Sequence, residues 1–163
     1  MPTASIRKLI LQKIETSLKK IVAGDTYFST LKRIERASQN PLQVQVYPAA
    51  VIFETTEQKG PGVGFGSAGG VPAPFGFIGA ILNVEVHFVL EVDMKAASDA
   101  VDNMLTDIQR CLMAEMDETV IGGTLVEVNI IGTSTNIAEA VAPYALGQVD
   151  LEINYRHNRK TLL

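Results

Sequence analysis

Few side chains in this chain are of the kinds that perform chemistry, and their spacing does not assemble a site. Gly64-Phe65-Gly66-Ser67-Ala68-Gly69 matches the G-x-G-x-x-G pattern. The dinucleotide fingerprint needs a tight turn from a strand directly into a helix, whose first turn holds the pyrophosphate. Here Pro72 and Pro74 follow and no helical pattern starts nearby, so the match is what a glycine-rich tract produces by chance. Lys59 precedes the glycines, so no phosphate-binding G-x-x-x-x-G-K run exists. Ser67 lacks the glycine two residues earlier that a nucleophile elbow requires. His87 and His157 are the only histidines. His87 alternates with Glu85 and Glu91 along one polar face, where a Glu85/His87 pair has the types of metal ligands but reads as solvated. Cys111 falls on or beside an apolar helical stripe and behaves there as a small hydrophobe. Asp99, Asp102, Asp117 and Glu118 read as charges at helix ends, and Met104, Met113 and Met116 as core packing. These residues argue for no enzyme, no cofactor and no metal.

Composition sets the outer bounds. At 163 residues, 47% hydrophobic and 20% charged, the chain suits one globular domain able to bury a core without staples. A lone cysteine excludes an internal disulfide and fits a reducing compartment. No apolar run approaches the ~18–20 residues of a membrane span. The first twenty residues alternate charge with Ile and Leu, unlike a signal peptide, so cytoplasmic synthesis is expected.

The net charge of −4 hides an asymmetry. Met1 to Arg36 holds Arg7, Lys8, Lys13, Lys19, Lys20, Lys32, Arg33 and Arg36 against Glu15, Asp25 and Glu35. From Ala37 to Tyr155 three cations face fifteen acids, and the tail 156–163 is basic again through Arg156, Arg159 and Lys160. Charge segregated in this way suits copies that meet head to tail. A nucleic-acid reading is weaker, because aromatics are few in the basic segment and no recognition motif accompanies it.

Periodicity gives the elements. Ile6, Leu9, Ile10, Ile14, Leu18, Ile21 and Val22 predict an amphipathic helix from Ser5 to about Val22, stopped by Gly24 as a left-handed cap. Tyr27–Arg36 and Ala49–Thr55 read as strands. Ala80 to Asp93 alternates strictly, with Ala80, Leu82, Val84, Val86, Phe88, Leu90 and Val92 on one face, which is a long strand with a mainly polar second face. Ser98 is placed to cap a second helix, whose stripe runs through Val101, Met104, Leu105, Ile108, Leu112 and Met116 to about Asp117. Gly122-Gly123 turns into a strand at Leu125–Ile131, and Leu146–Tyr155 is the last. The expected class is α+β: a mostly antiparallel sheet of about five strands, with both helices on one face.

Between the second and third strands lies the Gly/Pro-rich tract 59–79, long for a compact domain. It has almost no charge, yet Phe65, Phe75 and Phe77 punctuate it. An arm of that composition is expected to dock on a subunit or partner, with Arg7, Lys8, Lys19, Lys20, Arg33 and Arg156 as the basic side of an interface.

Three local patterns, together with the order of elements, resemble the tail terminator (tail completion) proteins of long-tailed bacteriophages. They are the opening helix leading to Gly24-Asp25-Thr26-Tyr27-Phe28-Ser29-Thr30, the proline-led segment Tyr47-Pro48-Ala49-Ala50-Val51-Ile52, and the closing strand Val149 to Arg156-His157. The resemblance implies a structural virion protein of the tail or neck. It would form a homo-hexameric ring that caps the tail tube, halts polymerisation and joins the tail to the head connector. It further implies tube, connector and sheath proteins as partners, non-specific passage of DNA, and no membrane. Glu85, Glu91 and Asp93 would line the channel and repel phosphate. The alternatives are another head–tail junction or tail-tube protein, or a small ligand-binding domain whose Gly/Pro tract is a lid over Phe65, Ser67 or His87.

Overall fold

The computed structural model describes residues 5–36, 46–60, 77–136 and 143–158. In chain order these form α1 (Ile6–Leu18), β1 (Arg33–Arg36), β2 (Ala49–Gly60), β3 (Phe77–Glu91), α2 (Ala97–Met116), β4 (Thr119–Ile121), β5 (Thr124–Asn136) and β6 (Tyr144–Asn158). The strands make one six-stranded sheet in the order β1-β2-β3-β6-β5-β4. The class is α+β, as expected, but the sheet has six strands and is mixed.

The parallel pair is β1 with β2, Arg33 opposite Ala49. Consecutive strands without an intervening helix were expected to be antiparallel. Residues 37–48 separate them, however, and a connection of about a dozen residues is long enough for a parallel return. The remaining pairs are antiparallel. β4 escapes periodicity analysis because three residues carry no pattern. It is defined instead by its turn: Gly122 and Gly123 have φ of 59° and 80°, the left-handed pair that a two-residue hairpin demands.

Several boundaries are corrected. The first helix ends at Leu18, and Gly24 is not its cap. Lys19 closes the helix in a right-handed conformation, and the N–H groups of Lys20 and Ile21 bond back to Ser17 and Leu18. Ile21 still reaches the core from this turn, which is why helical spacing included it. At the other end Ser5 caps the helix, accepting from the Lys8 N–H. α2 starts at Ala97, behind a single 3-10 turn over Met94–Ala96, so Ser98 is not its N-cap. Asp93 holds that turn by accepting from the Lys95 N–H at 3.1 Å. Only Arg33–Arg36 of the expected first strand is a strand. Lys59 and Gly60 pair with Ala80 and Gly79, and Phe77–Gly79 pair with Arg156–Asn158 of the basic tail, so both ends of the Gly/Pro tract are strand; residues 61–76 and 159–163 lie outside the described residues.

One face of the sheet meets both helices. Ala50 and Ile52 of β2, the even residues Ala80 to Leu90 of β3, Val126 and Val128 of β5, and Val149, Leu151, Ile153 and Tyr155 of β6 join Ile10, Ile14, Leu18, Met104, Ile108 and Leu112 in one cluster. Each fully buried aliphatic or aromatic side chain there contributes about 1.5–3 kcal/mol of transfer free energy. The Phe88 ring reaches over Gly147, its partner across the β3–β6 pair, so closely that a Cβ at 147 would stand 2.2 Å from its Cζ. On the opposite face the described residues include a small apolar cluster, Ala49 and Val51 with Tyr47 and Phe53.

Candidate functional site

The side chains singled out for chemistry do not converge. On the open face of the sheet His87 Nε2 lies 2.8 Å from Glu85, and its ring packs edge-on against Phe53 at 4.8 Å. No third ligand joins them, and among the described residues no group of three His, Cys, Asp or Glu could hold a metal. Cys111 is buried and donates to the Ser17 carbonyl at 3.0 Å. Burial pushes its thiol up, opposing the thiolate that nucleophilic chemistry needs. The glycine motif with Phe65 and Ser67, and Phe75 beyond it, lies outside the described residues. Glu85 faces Asp150 across the β3–β6 pair, and Asn83 faces Glu152, which makes the open face polar and acidic at its centre.

The charge asymmetry along the chain closes up in three dimensions. Arg7, in the first turn of α1, pairs with Glu54 and stands 3.7 Å from Glu57. Lys20 bonds Glu115 of α2, and Lys13 approaches the same carboxylate at 3.7 Å. Lys19 pairs with Glu15 at 2.8 Å and Arg36 with the same residue at 3.2 Å, while Arg33 pairs with Glu35. Most of the cations expected at an interface are therefore tied to acids of their own chain. Lys8 is exposed, and Arg156 sits in β6 beside Thr124, whose hydroxyl donates to its carbonyl at 3.1 Å.

Two polar networks fix segments that matter for shape. Tyr155 is fully buried and its hydroxyl donates to Glu57. Burial first, and then that bond, push the phenol far up, so it stays a donor. Through Glu57 and Arg7 this fastens the β2–β3 ribbon, from which residues 61–76 depart, to the start of α1. The second network centres on Asp107, a carboxylate with no solvent exposure. Its two oxygens accept from consecutive backbone N–H groups, Phe28 at 3.1 Å and Ser29 at 2.7 Å. Those are donors that a strand would direct to a neighbour, which is why Tyr27–Thr30 is a loop. Arg110, one helical turn on, donates to the Thr26 carbonyl and lies 5.7 Å from the centre of the Phe28 ring. Tyr27 tucks under the loop; burial, and then its bond with Cys111, push its hydroxyl up to about 12.

Asp107 is not among the residues singled out from the sequence. The signal was present: an acid at a position between Met104, Ile108 and Cys111, on the buried stripe of an amphipathic helix, must find donors.

The loop holds Phe28 out to solvent, 61% exposed. On the other flank of α2, beyond its C-terminus, an open groove of about 300 Å³ runs between Met113, Asp117, Glu118 and the first half of β5. Leu125 and Val120, paired across the β4–β5 hairpin, are 49% and 70% exposed beside it.

No family model and no curated protein matches the chain. Among solved structures it is similar to the sheath/tube terminator of an extracellular contractile injection system in the extended state, at 11% identity and a TM-score of 0.48. That superposition covers 93% of this chain and 57% of the other, so this chain spans little more than half its length. It is also similar to a chain from the virion of a native gene transfer agent particle, at 8% identity and a TM-score of 0.46, with 92% of each chain covered.

Proposed function

We propose that this protein is a structural, non-catalytic component of a phage-like tail, a terminator whose copies form a ring on the end of the tail tube. The observation that carries the reading is where the three terminator-like patterns fall in the fold. Gly24–Thr30 is the pinned loop between α1 and β1. Tyr47-Pro48 leads, through a cis peptide bond, into the buried start of β2. Val149 to His157 runs along β6 at the centre of the sheet. Each pattern thus coincides with a part of the fold that shapes the molecule. Added to this is a surface with an exposed aromatic, an apolar groove and an acidic sheet face.

In this reading the ring is six-fold, halts tube polymerisation and offers a surface to the head connector and to sheath. The segment 61–76, with Phe65 and Phe75, lies across a neighbouring subunit or the tube, assisted by Lys8 and Arg156. The open face bearing Glu85 turns toward the channel, where like charge keeps DNA from adhering.

The test is native mass spectrometry with negative-stain microscopy, alone and with polymerising tube protein. Closed rings of six copies that shorten and cap tubes are expected. A strictly monomeric chain that leaves tube length unchanged overturns the proposal, as does saturable small-molecule turnover.

A further inference from the structure

The two flanks of α2 carry complementary features that nothing within the chain brings together. On one flank Phe28 is an exposed aromatic on a loop that does not need ordering. A buried carboxylate fixes two successive N–H groups of the loop, and Arg110 fixes the Thr26 carbonyl. An aromatic held rigid in solvent loses little conformational freedom on binding, which is the usual character of an interface hot spot. The Arg110 guanidinium beside it has no carboxylate partner among the described residues, whereas most cations of α1 do.

The other flank has the opposite chemistry. The groove floor offers Met113 and Leu125, both partly exposed, and its rim offers Asp117, Glu118 and Glu127. None of the three acids has a cationic partner among the described residues; Asp117 only accepts the Val128 N–H, at 3.3 Å. Glu118 adds a separate indication. It has φ of 53°, the left-handed position after a helix where glycine is favoured. A carboxylate kept there at a conformational cost points to a use for its side chain.

We infer that Phe28 of one copy inserts into the Met113/Leu125 groove of the next, with Arg110 meeting Glu118 and Asp117. Charge complementarity selects the occupant: the groove is acidic around an apolar floor, and the knob is aromatic with a cation stacked beside it. Knob and groove are different surfaces of one chain, so the contact is heterologous and propagates into a ring or filament. The inference rests on the ring reading above for the identity of the partner as a second copy.

Mixing two variants tests it. Phe28→Ser removes the knob and Leu125→Arg blocks the groove. Both positions are exposed, and circular dichroism checks that each variant is folded. Size-exclusion chromatography with light scattering should show each variant alone losing self-association by about thirtyfold or more. Mixed, they should give one-to-one dimers, since the mixture retains one intact knob and one intact groove. An oligomeric wild type whose assembly ignores both substitutions overturns the knob-and-groove contact and leaves the ring reading standing. So does assembly that each variant loses but the mixture does not restore. A wild type that stays monomeric at high concentration overturns the ring reading and this contact with it.

Discussion

The two flanks of α2 solve the same problem differently. Toward α1 most of the buried or half-buried polar groups have a partner, the buried Ser17 hydroxyl being an exception. Glu115 meets Lys13 and Lys20, Cys111 meets the Ser17 carbonyl, and Asp107 meets two N–H groups of the loop. Toward β5 the acids Glu118 and Glu127 have no cation among the described residues, and Met113 and Leu125 stay partly in water. The first flank is a seam within the fold. The second has the composition of half an interface, a polar rim around an apolar floor. The difference shows that segregated charge along the sequence does not locate the open surface, because most of the basic segment is neutralised by α1's own neighbours.

The contrast breaks most visibly under truncation of the seam. Leu112→Ala on the buried stripe of α2 should lower unfolding free energy by about 3 kcal/mol, as core deletions of this size do. Met113→Ala, one residue on but facing the groove, should change it by about 0.5 kcal/mol or less. Urea denaturation of both variants measures this. Equal losses would mean that the groove is packed rather than open.

Asp107→Ala should cost about 2 kcal/mol, because it leaves two N–H groups without their acceptor. It should also free the loop: hydrogen exchange at Phe28 and Ser29 should rise while the helix interior stays protected. Unchanged exchange at those amides would remove Asp107 from the account of how the knob is held.

Glu118→Gly sharpens the comparison by moving two properties in opposite directions. Relief of the left-handed conformation should raise stability by about 1 kcal/mol. Loss of the rim carboxylate should weaken self-association in the same sample. If association is unaffected, the strained glutamate has no part in assembly.

The smallest effect expected is that of acid on the seam. Glu115 is held below the usual carboxylate range, first by its hydrogen bond from Lys20 and then by the charges of Lys20 and Lys13. The folded chain therefore binds that proton less tightly than the unfolded one. The contribution is complete above the ordinary value of 4.5 and is lost as pH falls through the lowered value. In Glu115→Gln, melting temperature should fall less steeply between pH 5 and pH 3, by roughly a degree or two, in keeping with a partly exposed pair screened by solvent. Equal slopes would show that the pair contributes nothing measurable.

Elements with long, regular periods are legible in the chain before any packing is known. β3 and β6 alternate over many residues and α2 repeats its apolar stripe over five turns, so class, helix number and the buried face could be read directly. Such patterns are local consequences of backbone geometry, with period two or 3.6, and need no knowledge of what packs against them. Other features depend on contacts between segments far apart in the chain. A three-residue edge strand has too few residues to show a period. The parallel sense of β1 shows only in its register with β2, since the length of the 37–48 connection permits it without dictating it. The loop at Phe28 exists because a carboxylate some eighty positions away captures its donors. The open groove, likewise, is a matter of which acids found cations, and ion pairs such as Lys20–Glu115 form between segments far apart in the chain. Long-range pairing is a property of the folded arrangement, so no window of sequence contains it.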